Sequence, residues 1–412
     1  MSATGKIIRT NEDIRNDFPL IARSGYAYLD NAATSQKPAS VIEAESSFYT
    51  DHNANPMRGF YPLSLDATAI YEDARKSVAS FIGAASSDEI VFTRNATESI
   101  NLVAYSWGLN NIKAGDEIAV SIAEHHSNML PWQMVAKATG ATLRYIECDT
   151  DGTFTDEELM RTINNRTKLV AFGHVSNVLG RCNPVRKISD MAHSVGALVL
   201  IDASQSIPHM KIDVMDLGAD FLAFSGHKLL APMGIGVLYG RRSLLDDMPP
   251  FLTGGEMIES VRRDGAKYAE VPHKFEAGTV NAAGAAALAE AIRYISDIGY
   301  EYITNRDREL TIRALEALKR TDHVHILGSK DNEDHNGIIS FTIDNVHPHD
   351  ISEVLAGDKV CIRAGHHCAQ PLLEHIKTPS CARASIMFYN NEDDIDRFTE
   401  SVANIRSRLG WE

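Results

Sequence analysis

Six short apolar runs, separated by helix-length amphipathic stretches, organise the chain from about residue 65 to 240. They lie at 89–93, 116–120, 168–172, 197–201, 221–224 and 236–239. A continuous apolar strand must be covered on both faces. Runs of this kind alternating with helices therefore predict an α/β fold with a mostly parallel sheet. Ligands of such sheets bind beyond the carboxyl ends of the strands.

Past residue 265 the texture changes. Helical periodicity over 282–298, continuing through 300–319, leads to apolar runs at 337–343, 360–363 and 384–388 and to an amphipathic helix over 392–409. This predicts a smaller α+β unit. The expected organisation is an N-terminal segment (1–24) packed with the small domain, a large domain (25–264) and a small domain (265–412). There are no internal repeats and no low-complexity linker.

Composition narrows the class. The 412 residues, 44% hydrophobic and 23% charged, describe an ordinary globular protein with room for a large core. A net charge of −15 argues against nucleic acid as a main partner. No apolar stretch approaches the roughly 20 residues of a membrane span. The polar start, without an apolar signal core, predicts a cytoplasmic protein. Five cysteines (Cys148, Cys182, Cys361, Cys368 and Cys381) form no C-x-x-C pair. Reduced thiols are expected, and any special cysteine is expected to be a nucleophile and not a metal ligand.

The candidate chemistry falls at the predicted strand ends. Lys228 lies on the Ser/Gly/His turn Ser225-Gly226-His227-Lys228, and Asp202 ends the run at 197–201. Most lysines are surface residues. A lysine on such a turn, with an acid at a buried strand end, is what a pyridoxal phosphate enzyme needs. The amine makes the Schiff base, the acid keeps the pyridinium nitrogen protonated, and the polar turn holds phosphate. Thr93 to Glu98 follows a strand and opens a helix. Its free amides, Ala96 among them, and the Thr97 hydroxyl form a phosphate site with Ser225 and His227. Asn95 and Glu98 make a capping pair.

His125, after the second run, can stack on a cofactor ring and move protons. Read as metal ligands, His125 and His126 lack a third partner nearby, so no metal site is expected. Asn177 can reach the cofactor's phenolic oxygen or a substrate carboxylate, and Gln205 can reach the ring's other polar edge. Finally, Arg363-Ala364-Gly365-His366-His367-Cys368-Ala369 puts a thiol beside two histidines and an arginine, where positive charge favours the thiolate. Arg363 and Arg383, on neighbouring predicted strands, offer bidentate grips for a carboxylate.

These segments, together with Leu29-Asp30-Asn31-Ala32-Ala33-Thr34, resemble the group II (SufS-like) cysteine desulfurases over nearly the whole chain. Those enzymes belong to the fold-type I, aspartate aminotransferase-like group of pyridoxal phosphate enzymes. The resemblance implies a seven-stranded, mostly parallel sheet and a homodimer. It implies Lys228 as Schiff-base lysine, Asp202 at the pyridinium, Gln205 at the phenolic oxygen and His125 over the ring. Thr97, Ser225, His227 and, from a second subunit, Thr279 would hold phosphate. Asn177, Arg383 and Arg363 would hold the carboxylate of L-cysteine. Cys368 would take the sulfur as a persulfide and pass it to an acceptor protein or iron–sulfur scaffold. Relatives acting on selenocysteine or cysteine sulfinate, and a non-catalytic scaffold, are the alternatives. One departure stands out. Where the family carries His-Arg-Gly-x-His, this chain has Met57-Arg58-Gly59-Phe60-Tyr61, leaving the Tyr61 hydroxyl as the substitute for a missing histidine.

Overall fold

The computed structural model describes residues 9–411. Most of the polar start therefore lies outside the described residues. Seven strands form the central sheet: β1 (Ile90–Thr93), β2 (Glu117–Ser121), β3 (Thr142–Ile146), β4 (Thr167–Gly173), β5 (Leu198–Asp202), β6 (Phe221–Ser225) and β7 (Gly236–Gly240). Their order is β1-β7-β6-β5-β4-β2-β3. The pairs from β6 to β3 are parallel, and β7 runs antiparallel to both of its neighbours.

The apolar runs at 116–120, 168–172, 197–201 and 221–224 became β2, β4, β5 and β6, and their side chains are almost all buried. β3 escaped the sequence reading. It is an edge strand with Thr142 exposed and Arg144 half-buried, so it shows no continuous apolar run. Gly236 marks where β7 meets the helix Ala96–Leu102. A Cβ there would sit 2.5 Å from the Asn95 Cα, so only glycine lets the phosphate-site helix start this close to the sheet.

A four-stranded antiparallel sheet follows: β8 (Val324–Ile326), β9 (Ile338–Ile343), β10 (Arg363–Gly365) and β11 (Cys381–Ser385), in the order β8-β9-β11-β10. The expected strand at 360–363 is divided. Val360–Cys361 pairs in parallel with Ala27–Tyr28, and Arg363 begins β10. The run at 384–388 is shifted as well, because β11 ends at Ser385. The helical stretch at 282–319 is two helices, Ala282–Ile298 and Tyr300–Lys319, parted by Gly299 at φ 86°. The first packs against Ala39–Asp51 and Pro62–Phe81 and enters the core that backs the central sheet. The second packs with Glu392–Ala403 beside the small sheet. None of the described helices is long and apolar enough to cross a membrane.

One buried ion pair ties edge strand β1 to the layer beneath it. Arg75 grips both Glu276 oxygens at 2.7 and 2.8 Å. Glu276 also accepts from the Tyr71 hydroxyl (2.8 Å) and the Phe92 amide (2.7 Å), and Arg75 donates to the Ile90 carbonyl (2.8 Å). Removing one partner strands the other charge in the core. Glu276→Leu is expected to lower unfolding stability by about 3–5 kcal/mol, read by urea denaturation, with a surface change such as Lys76→Ala staying within about 0.5 kcal/mol.

Candidate active site

A cavity of about 210 Å3 opens at the carboxyl ends of β2, β4, β5 and β6. Its wall includes Lys228, Asp202, Gln205, His125, Asn177, Ser225, His227, Ala96, Thr97, Arg363 and Arg383. Residues spread over nearly 300 positions thus converge on one space. The reason is topological: parallel strands present all their following loops on one edge. The turn that bears Lys228 is held from behind. The Lys37 amine (2.8 Å), the Ser35 hydroxyl (3.0 Å) and the Thr34 hydroxyl (3.2 Å) all donate to the His227 carbonyl.

Burial pulls the Lys228 amine down to about 8; Asp202 opposes the fall, and Arg383 and Arg363 add to it. His227 is pushed down to about 4, mainly by burial, and His125 falls below the ordinary histidine range for the same reason, with Lys228 adding to the effect. Both rings are therefore neutral near pH 7. The Ser127 amide donates to His125 Nδ1 at 3.1 Å, which leaves the proton on Nε2. Asp202 Oδ1 accepts from the Ser204 amide at 2.9 Å.

At the phosphate end the Ala96 amide donates to Ser225 Oγ (2.9 Å), and the Thr97 and Ser127 hydroxyls pair at 2.7 Å. The Asn95 cap is present, its side chain accepting from the Glu98 amide at 3.0 Å. The reciprocal half is absent: Glu98 accepts from the Arg94 amide instead (2.6 Å). Arg363 and Arg383 stand directly opposite each other on β10 and β11. Like charges in such a pair repel. Arg383 is only 2% exposed, and its carboxylate neighbour Asp30 lies at 3.5 Å. The pair is thus set to receive an anion.

Four polar atoms of this wall are buried without a protein partner: His227 Nδ1, Ser204 Oγ, His367 Nδ1 and Arg383 Nε. Buried groups of this kind call for a polar guest. Together with the amine and the acid they fit pyridoxal phosphate.

The structure adjusts several expectations. Asn177 Nδ2 donates to the His367 carbonyl (2.8 Å), so part of its amide secures the cysteine loop. Gln205 Nε2 donates to the Ala32 carbonyl at 3.0 Å. Cys368 is half-buried on the loop after β10, beside the cavity and not among the residues that line it. Thr279 is exposed and away from the cavity. Tyr61 is 53% exposed and Phe60 is 99% exposed, so within this chain the Tyr61 hydroxyl does not stand in for the missing histidine. Among the described residues, no group of three or more His, Cys, Asp or Glu is disposed to hold a metal.

Two further wall residues differ from what the sequence predicts. Glu124 is 2% exposed, accepts from Gly173 N (2.7 Å) and Asn128 Nδ2 (2.6 Å), and is pushed up to about 7 by burial. His367, pushed down to about 3 mainly by burial, donates from Nε2 to the Cys381 carbonyl at 3.1 Å. Position in a loop carries no signal for Glu124; His367, expected to lend positive charge to the thiol, is neutral near pH 7 and bound to Cys381 instead.

The family model described as Aminotransferase class-V matches residues 27–398. The chain belongs to the class-V aminotransferase family. Its similar relatives within that family carry a narrower name. A probable cysteine desulfurase of Halalkalibacterium halodurans is 46% identical, over 97% of this chain and 98% of the relative. A cysteine desulfurase of Haloferax volcanii is 43% identical, over 94% of this chain and 95% of the relative. The apo cysteine desulfurase of Thermococcus onnurineus superposes with a TM-score of 0.94 at 41% identity, covering 98% of this chain and all of that one. In this chain the small antiparallel sheet brings Arg363 and Arg383 to the cavity wall.

Proposed function

We propose that this protein is a cysteine desulfurase that converts L-cysteine to L-alanine and keeps the sulfur as a persulfide on Cys368. The observation that carries the reading is one cavity holding a buried amine (Lys228), an acid (Asp202) and an arginine pair set for an anion, with a cysteine loop at its rim. Its relatives named as cysteine desulfurases, similar along their full lengths, support it.

Pyridoxal phosphate, when bound, supplies the electron sink for a carbanion at the substrate α-carbon. Lys228 would hold it covalently, Asp202 would face its ring nitrogen, Gln205 its phenolic oxygen and His125 its ring face. The Ala96 amide, Thr97, Ser225 and His227 would hold its phosphate. Arg383, Arg363 and the second Asn177 N–H fix the substrate carboxylate. The freed Lys228 amine takes the α-proton. The Cys368 thiolate then attacks the substrate sulfur. The C–S bond breaks, its electron pair stays with carbon, and a proton completes alanine. Nε2 of His125 carries protons at the substrate thiol. The persulfide sulfur passes to an acceptor protein or iron–sulfur scaffold in the cytoplasm.

Thr279 belongs in the same proposal as a phosphate contact lent to a second copy. Its exposure away from its own cavity, and the bare Phe60, Met233 and Leu63 side chains, support a homodimer. Mass spectrometry after incubation with L-cysteine is expected to find one added sulfur on Cys368. Sulfur on Cys361 or Cys381 in its place would refute the assignment.

A further inference from the structure

His126, next to the cofactor-facing histidine, has no part in the chemistry above, yet it holds the cysteine loop twice. Its amide donates to the Cys368 carbonyl at 2.7 Å. Its ring Nε2 accepts from the Gln370 amide at 3.3 Å. Gln370 opens the helix Gln370–His375, so its amide has no acceptor within the helix. A histidine from a distant loop supplies one.

The loop needs the restraint. His367 and Cys368 are consecutive non-glycine residues in the left-handed region, at φ 50° and 55°. Such backbone persists only where its surroundings over-determine it. On the His367 side, Asn177 holds the carbonyl and Cys381 holds the ring. On the Cys368 side the tethers are both from His126. Partial burial, with His366 nearby, shifts the His126 imidazole downward and so favours the neutral ring, and the Gln370 amide marks Nε2 as its accepting nitrogen.

We infer that His126 is the positioning residue for Cys368: it fixes the thiol-bearing backbone relative to His125 and the cavity through Gln370 and the Cys368 carbonyl. The inference rests on the desulfurase reading and adds to it a residue that touches neither substrate nor cofactor. One rigid loop after β2 then sets the register between the ring-facing histidine and the attacking thiol. A displacement of about 1 Å at such a thiol is enough to cost a large factor in rate.

The test compares His126→Ala, which removes the ring acceptor but keeps the amide, with His126→Gln, whose side-chain oxygen reaches to the same place. Both are studied as holoenzyme, their visible absorption reporting that the cofactor site is intact. In His126→Ala, hydrogen exchange at the Gln370 amide is expected to quicken at least tenfold. Single-turnover persulfide formation on Cys368 is expected to slow about tenfold. The affinity for L-cysteine should stay unchanged, and His126→Gln should restore both rates. A persulfide rate in His126→Ala within twofold of the parent, or a glutamine variant as slow as the alanine one, overturns the inference. The parent enzyme distinguishes the two levels: absence of sulfur on its Cys368 would sink the desulfurase reading, whereas exchange at Gln370 reports the tether alone.

Discussion

Lys228→Ala is expected to abolish turnover, by roughly 10³-fold or more, and to remove the absorption near ~420 nm that marks a lysine-bound cofactor. Two jobs rest on the one amine: it holds the cofactor and then takes the α-proton. The cavity prepares it for both. Burial brings Lys228 down to about 8, against Asp202 and with Arg383 and Arg363. At pH 7.5 about a quarter of the molecules then carry a neutral amine, against about one in a thousand for an ordinary lysine. The sign is open to measurement. Neutral amine increases as pH rises, so recombination of the apoenzyme with pyridoxal phosphate should speed up to about pH 8 and then level. A rate still climbing at pH 10 would mean an unperturbed lysine. A colourless parent protein would favour a scaffold.

Cys368→Ala is expected to leave cofactor absorption and cysteine binding intact while cutting alanine production from L-cysteine by about 10²-fold or more. Lys228, Asp202 and His125 lie on other loops, and Ala fits the partly exposed site of the thiol. The loss should therefore fall on kcat and not on KM. Selenocysteine and cysteine sulfinate are the informative controls, because β-elimination from them needs little from Cys368. If desulfuration of L-cysteine survived at full rate, the nucleophile assignment would fail, and one of those substrates would become the better reading.

Much of the site was legible because its chemistry is local in the chain. Ser225 to Lys228 and Arg363 to Ala369 are contiguous segments, each with residue types that few structural roles would bring together. Asp202 was legible from the apolar strand it ends. Less visible were residues whose part depends on what lies opposite them. Glu124 is unremarkable in its loop and becomes a wall residue only when β2 and β4 bring their loops to one edge. Asn177 was read as a ligand to substrate, and half of its amide is a tether to the cysteine loop. The edge strand β3 was missed for the same reason in reverse: half-solvated, it has no apolar run to betray it.

Periodicity, strand-end chemistry and a lysine–acid pair are properties of short segments, so composition and spacing alone pointed to an α/β fold, to pyridoxal phosphate chemistry and to Lys228 and Cys368 as the candidate amine and nucleophile. Distances between segments are not encoded in spacing. It took the folded chain to set Arg363 directly across from Arg383, to aim three side-chain donors at the His227 carbonyl and to hang the cysteine loop on His126. It also turned Tyr61 and Thr279 away from the cavity of their own chain. The physical reason is the same throughout: backbone propensity acts over a few residues, whereas hydrogen bonds, burial and charge act between whichever atoms the topology makes neighbours.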